Sequence, residues 1–456
     1  MNPIYRGQYP PKNTNVLWIK DNQIYIYQNG GWEAASGSGG EAEEFLSEES
    51  ENLIENRAVY NQYMIKEDVI DVCSMIDPDY RKKLAKKEPL TFEILTDGNI
   101  NWAVNNSDSS MIRTIQIQVN DGNWETITSH LDGEELSNIP VKAGDIVKIK
   151  ATNSTYGSAN SWSSFTGTTC KLNVSGNIMS LINEEAFENL EQFEEGATNI
   201  FSHLFYECPV VYANNLILPN GTAISCYLSM FASEEQYTTD PNNSELILGP
   251  SLPATDLSLY CYQNMFKFCQ KLQEAPELPA LTLTNYCYSG MFHGCFSLTQ
   301  APELPSTELS DYCYQYMFVN CISLVQPPAV LPATVLKYAC YQQMFFNCPF
   351  TSAPTISATT LAYYCCDRMF QNCKNLEVGP DLLATSFPST NRHCYDSMFN
   401  GCTSLRQLKC LVTPSNGNTG YWMAGVNSTG TFIKSSSATW STGTSGIPSG
   451  WTIVNA

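Results

Sequence analysis

Several features that would mark a membrane or exported protein are missing from this chain of 456 residues. It has no run of about 18 apolar residues, the minimum for a membrane-spanning helix. The opening residues, MNPIYRGQYPPKNTNVLW, contain no apolar signal-peptide core, no cleavage site and no lipoprotein-type cysteine. We therefore expect neither export by a classical signal nor insertion into a membrane.

Basic residues are also scarce, with 24 Lys and Arg against 45 Asp and Glu, for a net charge of −21. Nucleic acid backbones and anionic membranes attract basic surfaces, so this balance argues against both as partners. The basic cluster between Arg81 and Lys87 ends a predicted helix, where positive charge complements the helix dipole. A solvated helix end is the preferred interpretation over a binding patch.

Catalytic signatures are equally few. Four histidines are scattered over the chain, and no HExxH, GxSxG, P-loop or CxxC pattern occurs. A GxGxxA match at Gly37, Gly39 and Ala42 lies in the linker-like stretch AASGSGGEAEE, without the preceding buried strand that a dinucleotide site needs. We predict no cofactor and no metal.

Two pairs of residues leave catalysis open as an alternative. His393 and Cys394 resemble a nucleophile pair, but Cys394 occupies a repeated apolar position, which favours a core role. Glu277 and Glu303 lie one repeat apart and could act like the carboxylate pair of a glycan hydrolase, or could simply fill exposed repeat positions. The second interpretation is preferred in both cases, and we predict that the protein is not an enzyme.

What the sequence does contain is a unit of the form YCYxxMFxxCxxL…AP.LPAT.L, written eight times between Leu204 and Leu405. The copies are marked by Leu204-Phe205, Met230-Phe231, Met265-Phe266, Met291-Phe292, Met317-Phe318, Met344-Phe345, Met369-Phe370 and Met398-Phe399. A period near 26 residues is typical of leucine-rich-repeat solenoids, in which each unit buries its apolar face against its neighbours.

Each copy suggests a helix followed by a short strand. Cys261, Met265, Cys269 and Leu272 are spaced i, i+4, i+8 and i+11, which places them on one face of a helix of about three turns. The following segment, EAPELPALTL at 274–283, is interrupted by proline, so any strand there is short. We predict a multidomain α+β protein that contains an α/β leucine-rich-repeat solenoid of eight repeats at 182–405.

Sixteen of the 18 cysteines lie between residues 200 and 410. On helices, cysteines eight residues apart are about 12 Å apart, and equivalent cysteines of neighbouring helices are about 8–10 Å apart. Disulfides and zinc sites need closer approach. The cysteines are therefore predicted to be buried free thiols acting as small apolar side chains, which implies assembly in a reducing compartment.

The regions before the repeats differ in pattern. Residues 1–40 read as a hairpin-forming docking segment and linker, 41–89 as a helical segment, and 90–181 as an all-β sandwich of alternating strands. The stretch 182–193, INEEAFENLEQF, is predicted to be an amphipathic helix that covers the first repeat.

After the repeats, residues 406–456 are predicted to form a β-rich C-terminal cap. Trp422, Trp440 and Trp451 would seal the last repeat, although three tryptophans could alternatively stack on sugars.

The unit YCYQNMFKFCQKL and segments of the APELPAT style resemble the BspA-like leucine-rich repeats of surface proteins from gut Bacteroides-type bacteria and of fibres from the phages that infect them. The opening NTNVLW…YQNGGW looks like the N-terminal tags of gut-phage fibre proteins, and TIQIQVNDGNWETI looks like an Ig-like module that precedes such repeats. The resemblance implies a docking segment, an Ig-like spacer and a receptor-binding solenoid. Because an exported bacterial surface protein would be expected to carry a signal, the resemblance favours a virion protein assembled in the host cytoplasm.

We accordingly predict a non-catalytic phage fibre or receptor-binding protein. Its partners would be a host surface protein or glycan, other virion proteins through the N-terminal segment, and copies of itself, such as a trimer. A bacterial adhesin or structural surface protein, and a glycan depolymerase, are the alternatives. Positions that vary between copies are predicted to form an exposed ligand surface: Gln263, Asn264, Lys267, Ser289, His293, Gln315, Tyr316, Gln342 and Gln343.

Overall fold

A computed structural model describes residues 4–6, 17–20, 23–28, 31–34, 85–105, 108–131, 138–234, 244–389, 393–415 and 417–456. The chain divides into two units, Met1–Leu84 and Ala85–Ala456. The described residues are mostly β with very little helix. Helical conformation is confined there to residues 85–87 and to short 3-10 turns.

The first unit contains a four-stranded sheet in the order β1-β2-β3-β4. The strand β1 runs parallel to β2, whereas β2 with β3 and β3 with β4 are antiparallel pairs. The strands are β1 (Ile4–Arg6), β2 (Leu17–Lys20), β3 (Gln23–Gln28) and β4 (Gly31–Ala34). Apart from residues 85–89, the predicted helical segment at 41–89 lies outside the described residues.

The second unit begins with a β domain, defined here as residues 85–181, whose strands give three sheets. The strands are β5 (Leu90–Ile94), β6 (Gly98–Asn101), β7 (Ala103–Val104), β8 (Thr114–Val119), β9 (Glu125–Thr128), β10 (His130–Leu131), β11 (Asn138–Val141), β12 (Ile146–Lys150), β13 (Ser163–Ser164) and β14 (Leu172–Asn177). Successive side chains of β5 point to opposite faces of the sheet, so Leu90, Phe92 and Ile94 face the core. The predicted strand-rich character is present, whereas the arrangement as a sandwich stays a prediction.

The largest sheet of the β domain continues into the repeats. Its order is β15-β14-β5-β12-β8-β9, where β15 (Asn215–Ile217) belongs to the repeat region and pairs in parallel with β14. The backbone of Val174 donates to Tyr212 at 2.7 Å, and Val211 donates to Leu172 at 2.8 Å. One continuous hydrophobic core therefore extends from the β domain into the repeats.

The prediction of helices in the repeats is wrong. Tyr260, Asn264 and Phe268, four residues apart, have φ angles of 58°, 54° and 60°, and the same rhythm recurs in the neighbouring copies. For L-residues these left-handed conformations are incompatible with a right-handed α-helix. Each copy instead winds through successive tight turns with a four-residue period. We call one folded copy a coil.

Backbone hydrogen bonds within a coil alternate with bonds to the next coil. Met265 donates to Tyr262 three residues earlier at 3.2 Å, whereas Phe266 donates to Met291 of the following coil at 3.0 Å. Parallel strands that bond in this way lie about 4.8 Å apart. Equivalent cysteines are thus closer than helix packing would place them, so the predicted spacing of about 8–10 Å is wrong, although all 17 described cysteines are buried and free.

Short parallel strands complete the later coils, and residues 330–455 form a β-solenoid of about five turns. Strand β16 pairs with β17, and β18-β19-β20-β21 form a parallel sheet. The strands are β16 (Val330–Leu331), β17 (Thr355–Ile356), β18 (Val378–Leu382), β19 (Gln407–Cys410), β20 (Gly430–Lys434) and β21 (Trp451–Asn455). Residues 406–456 therefore extend the parallel stack beyond the point where the sequence period ends.

Two aromatic columns run through the coils. One contains Phe205, Phe231, Phe266, Phe292, Phe318, Phe345, Phe370 and Phe399, with successive ring centroids 5.2–5.8 Å apart. The other contains Tyr227, Tyr262, Tyr288, Tyr314 and Tyr341. Trp422 is fully buried, with its rings 6.3 Å from Phe399 and 6.4 Å from Tyr395, so it presents no face to a sugar.

The helix predicted at 182–193 to cover the first coil is also wrong. The described conformation there is one 3-10 turn, Phe187–Asn189. The β domain covers the first coil instead, and its Tyr156 stacks on Phe201 with ring centroids 6.0 Å apart.

Candidate functional site

A groove of about 940 Å³ opens on the solenoid between two consecutive coils, along residues 273–279 and 297–305. Its walls include apolar surface from Ala275, Leu278, Pro279, Pro302 and Pro305. Polar lining comes from Gln273, Glu274, Glu277, Ser297, Thr299, Gln300 and Glu303. A mixture of apolar walls and a few converging polar groups is what ligand sites present. We call this surface the acidic groove.

The groove lies where parallel pairing between coils is interrupted. Leu248 forms a β-bridge with Glu274, and Gln300 forms one with Gln326, but within the described residues no bridge joins Glu274 to Gln300. Both coils carry the sequence APELP at this point, so prolines remove backbone donors from each side. The repeated prolines therefore explain why a cleft forms here.

Three carboxylates, those of Glu274, Glu277 and Glu303, line the groove and are exposed. The ion pairs of the described residues do not include any of them. Glu303 Oε1 accepts a long hydrogen bond of 3.5 Å from the Ala329 backbone. The groove thus offers negative charge and acceptors to a ligand that carries hydrogen-bond donors or positive charge.

The structure brings Glu277 and Glu303 together in one groove, as the hydrolase alternative requires. Glu274, Thr299 and Gln300 were not recognised from the sequence. The identical APELP in two adjacent copies is the signal that could have found them, because equivalent residues of stacked coils form one surface.

The nine residues predicted as a ligand surface lie elsewhere and do not line the groove. Gln263, Asn264, Lys267, His293, Tyr316, Gln342 and Gln343 are half-buried, while Ser289 and Gln315 are buried. The premise that all these positions are exposed is therefore wrong.

Several of these side chains contact the neighbouring coil. Gln315 Nε2 donates to Gln342 Oε1 at 2.6 Å, and Gln342 Nε2 donates to Asp367 Oδ2 at 2.8 Å. Burial raises the pKa of the Asp367 carboxyl. These hydrogen bonds therefore help to join adjacent coils.

The His393–Cys394 pair does not have the geometry of a nucleophile and its base. His393 Nδ1 is hydrogen-bonded to Asp396, and Cys394 Sγ donates to the Ala362 carbonyl at 3.3 Å. The interaction with Cys365, followed by burial, raises the pKa of Cys394 far above its usual range. A protonated, buried thiol is a poor nucleophile, so Cys394 is a core residue.

Within the described residues, no three side chains of the His, Cys, Asp and Glu types are grouped to hold a metal ion. None of the helices in that part of the chain is long and apolar enough to cross a bilayer. Comparison with known proteins gives no further assignment: no protein-family model, curated protein or solved structure matches this chain.

Proposed function

We propose that this chain is a non-catalytic receptor-binding fibre protein of a phage virion, and that its acidic groove contacts the host surface. The groove, a preformed cleft with three carboxylates free of ion pairs, is the observation that carries the proposal. The N-terminal segment would attach the chain to other virion proteins, and a homotrimer would present several grooves at once. In this proposal the coils correspond to BspA-like repeats and the β domain to an Ig-like module.

Rigidity of the solenoid supports a binding role. Each coil is joined to the next by backbone hydrogen bonds and by two buried aromatic columns. A site on such a scaffold loses little conformational entropy when a partner binds, so more of the contact energy contributes to affinity. The partner would be a surface protein or glycan that offers hydrogen-bond donors to the carboxylates.

Two measurements test the proposal. Mass spectrometry of purified particles should detect the chain, and antibodies against the solenoid should decorate intact particles in electron micrographs. Particles that lack the chain would refute the virion assignment. Detection only in the outer-envelope fraction of bacterial cells would favour the adhesin alternative instead.

The groove itself is tested by adsorption of particles that carry Glu277→Gln and Glu303→Gln together. We expect adsorption to host cells to fall at least about tenfold, which corresponds to 1.4 kcal/mol of lost binding free energy. The matched control is Glu185→Gln with Glu188→Gln, two exposed glutamates outside the groove that give the same change in charge. Equal effects of the two variants would contradict a specific role of the groove.

A glycan depolymerase is the second candidate, because Glu277 and Glu303 line the same groove one coil apart. Glycosidases use two carboxyl groups that flank the scissile bond, and two carboxylates in one cleft match that requirement. Release of reducing ends from purified host capsule, abolished by Glu277→Gln or Glu303→Gln, would support this candidate over pure binding.

A further inference from the structure

A third column of aromatic side chains lies at the surface of the solenoid. It contains Tyr260, Tyr286, Tyr312 and Tyr338 from four successive coils, and we call it the tyrosine strip. Ring centroids are 4.9 Å apart for Tyr260 and Tyr286, 4.3 Å for Tyr286 and Tyr312, and 4.9 Å for Tyr312 and Tyr338. The strip differs from the two internal columns because it is not needed to fill the core.

The tyrosine strip is more exposed to solvent than the internal tyrosine column, whose members lie two residues later in each coil. Tyr288 and Tyr314 are 1% and 2% exposed, whereas Tyr286 and Tyr312 are only half-buried. Partial burial raises the pKa of both surface hydroxyls, which also interact with each other. Two neutral phenols therefore lie side by side within reach of solvent.

Within the strip, Tyr286 and Tyr312 have the closest and most parallel rings, with planes inclined by 9°. The inclination is 26° for Tyr260 and Tyr286 and 66° for Tyr312 and Tyr338. A bond between two phenoxyl radicals forms through overlap of their π faces, so parallel rings in contact favour it. We propose that Tyr286 and Tyr312 are an oxidative modification site, at which a one-electron oxidant joins adjacent coils through a dityrosine cross-link.

The chemistry balances with a peroxidase and hydrogen peroxide as the oxidant. Each phenol loses one electron and one proton and becomes a phenoxyl radical. The two radicals form a carbon–carbon bond between positions ortho to the oxygens, and loss of the two ring protons while the oxygens regain protons restores both aromatic rings. In total two hydrogens leave the pair, and one hydrogen peroxide is reduced to two water molecules.

The cross-link would close a loop of 26 residues between consecutive coils. As with a disulfide, a covalent closure restricts the unfolded chain and so stabilises the folded one. The inference is independent of the proposed receptor-binding function, since it depends only on the geometry of the strip.

Treatment of dilute full-length protein with peroxidase and hydrogen peroxide, followed by cleavage after glutamate, tests the proposal. Glu303 and Glu308 lie between the two tyrosines, so they end up in separate peptides, 278–303 and 309–377. We expect a cross-linked species of these two peptides with the mass of their sum less two hydrogens, and fragmentation should locate the bond at Tyr286 and Tyr312.

Tyr312→Phe keeps the stacked ring but removes the phenol, and should abolish this species. Tyr314→Phe, the matched change in the internal column, should leave its yield unchanged. Oxidised wild-type protein should also have a thermal unfolding midpoint several degrees higher, a shift that Tyr312→Phe lacks. Oxidation confined to Tyr421, which is 65% exposed, or cross-linking of Tyr286 that persists in Tyr312→Phe, would overturn the proposal.

Discussion

The ring of Phe165 stacks on the ring of Phe205, with centroids 5.7 Å apart and planes inclined by 16°. Phe165 belongs to the β domain and Phe205 to the first coil of the solenoid. The Phe165 backbone also donates to the Leu204 carbonyl at 2.9 Å. The β domain therefore shares a core with the solenoid. It shields the first coil from solvent.

This continuity predicts that the β domain and the solenoid unfold together. Phe165→Ala removes a fully buried ring at their junction and should lower the free energy of unfolding by about 3–5 kcal/mol. Urea unfolding followed by circular dichroism and by tryptophan fluorescence should show one coincident transition, shifted in both signals. Two separate transitions, of which only one moves, would contradict the shared core.

Glycine at position 290 avoids both backbone strain and a close contact with the preceding coil. Its φ is +62°, and a Cβ would lie 2.2 Å from Asn264 Oδ1 of the preceding coil. Gly290→Ala should therefore lower the free energy of unfolding by about 1–3 kcal/mol, from backbone strain and from displacement of the Asn264 side chain. Gly144→Ala is the control, because Gly144 has a φ of +93° with no atom within 4 Å of its Cβ position. Urea unfolding measures both variants. If Gly290→Ala loses no more free energy of unfolding than Gly144→Ala, the contact with Asn264 makes no contribution.

Stability should decrease in mild acid because of His203. Burial beneath the ring of Trp162, 3.7 Å away, lowers the pKa of His203 to about 4 from its usual 6.5. Between these values the unfolded chain binds a proton that the folded chain does not, so stability is lost as the pH falls from about 6.5 to 4. The loss should be about 2 kcal/mol, since the side chain is still partly exposed.

The change His203→Gln should remove this contribution, as measured by unfolding at several pH values. Burial raises the pKa of nearby Glu207, which contributes with the opposite sign, so both proteins are best compared in a Glu207→Gln background. An identical pH dependence with and without His203 would contradict the prediction.

The described cysteines should be unreactive in the folded protein. Burial raises the pKa of Cys269 and of Cys321 to about 12, so neither is a thiolate near neutral pH. Iodoacetamide at pH 8 should leave all 17 described thiols unmodified over a time that labels them completely in denaturant. Peptide mapping provides the measurement, and native-state labelling of any core thiol would show that the stack opens locally.

The sequence predicted a repeating stack and its core residues, but it did not distinguish a helix from a coil. Cys261, Met265 and Cys269 recur every four residues, a spacing that fits one helix face and a chain of four-residue turns equally well. In five copies the residue before the second cysteine distinguishes the two: Gly294, Asn320, Asn347, Asn372 and Gly401 all have positive φ. Glycine and asparagine tolerate this conformation best, and a pattern of such residues is unusual within helices.

The acidic groove was harder to predict, because it depends on where pairing between coils fails. Glu277 and Glu303 could be identified one repeat apart, but their exposure and their shared cleft follow from the missing bridge between Glu274 and Gln300. The burial of Ser289 and Gln315, two positions of the predicted ligand surface, also depends on contacts between coils. Gln315 donates to Gln342 of the next coil, and such pairing between adjacent coils is not visible in a single copy.

In the turn segments of the coils, hydrogen bonds within a coil alternate with bonds to the next coil in the same way at successive junctions. A coil duplicated or deleted as a whole would meet the same ladder of donors, acceptors and stacked rings on both sides. The length of the protein could therefore change in steps of about 4.8 Å without redesign of its core. Such a scaffold can adjust its reach during evolution by gene duplication alone, independently of the surface that it displays.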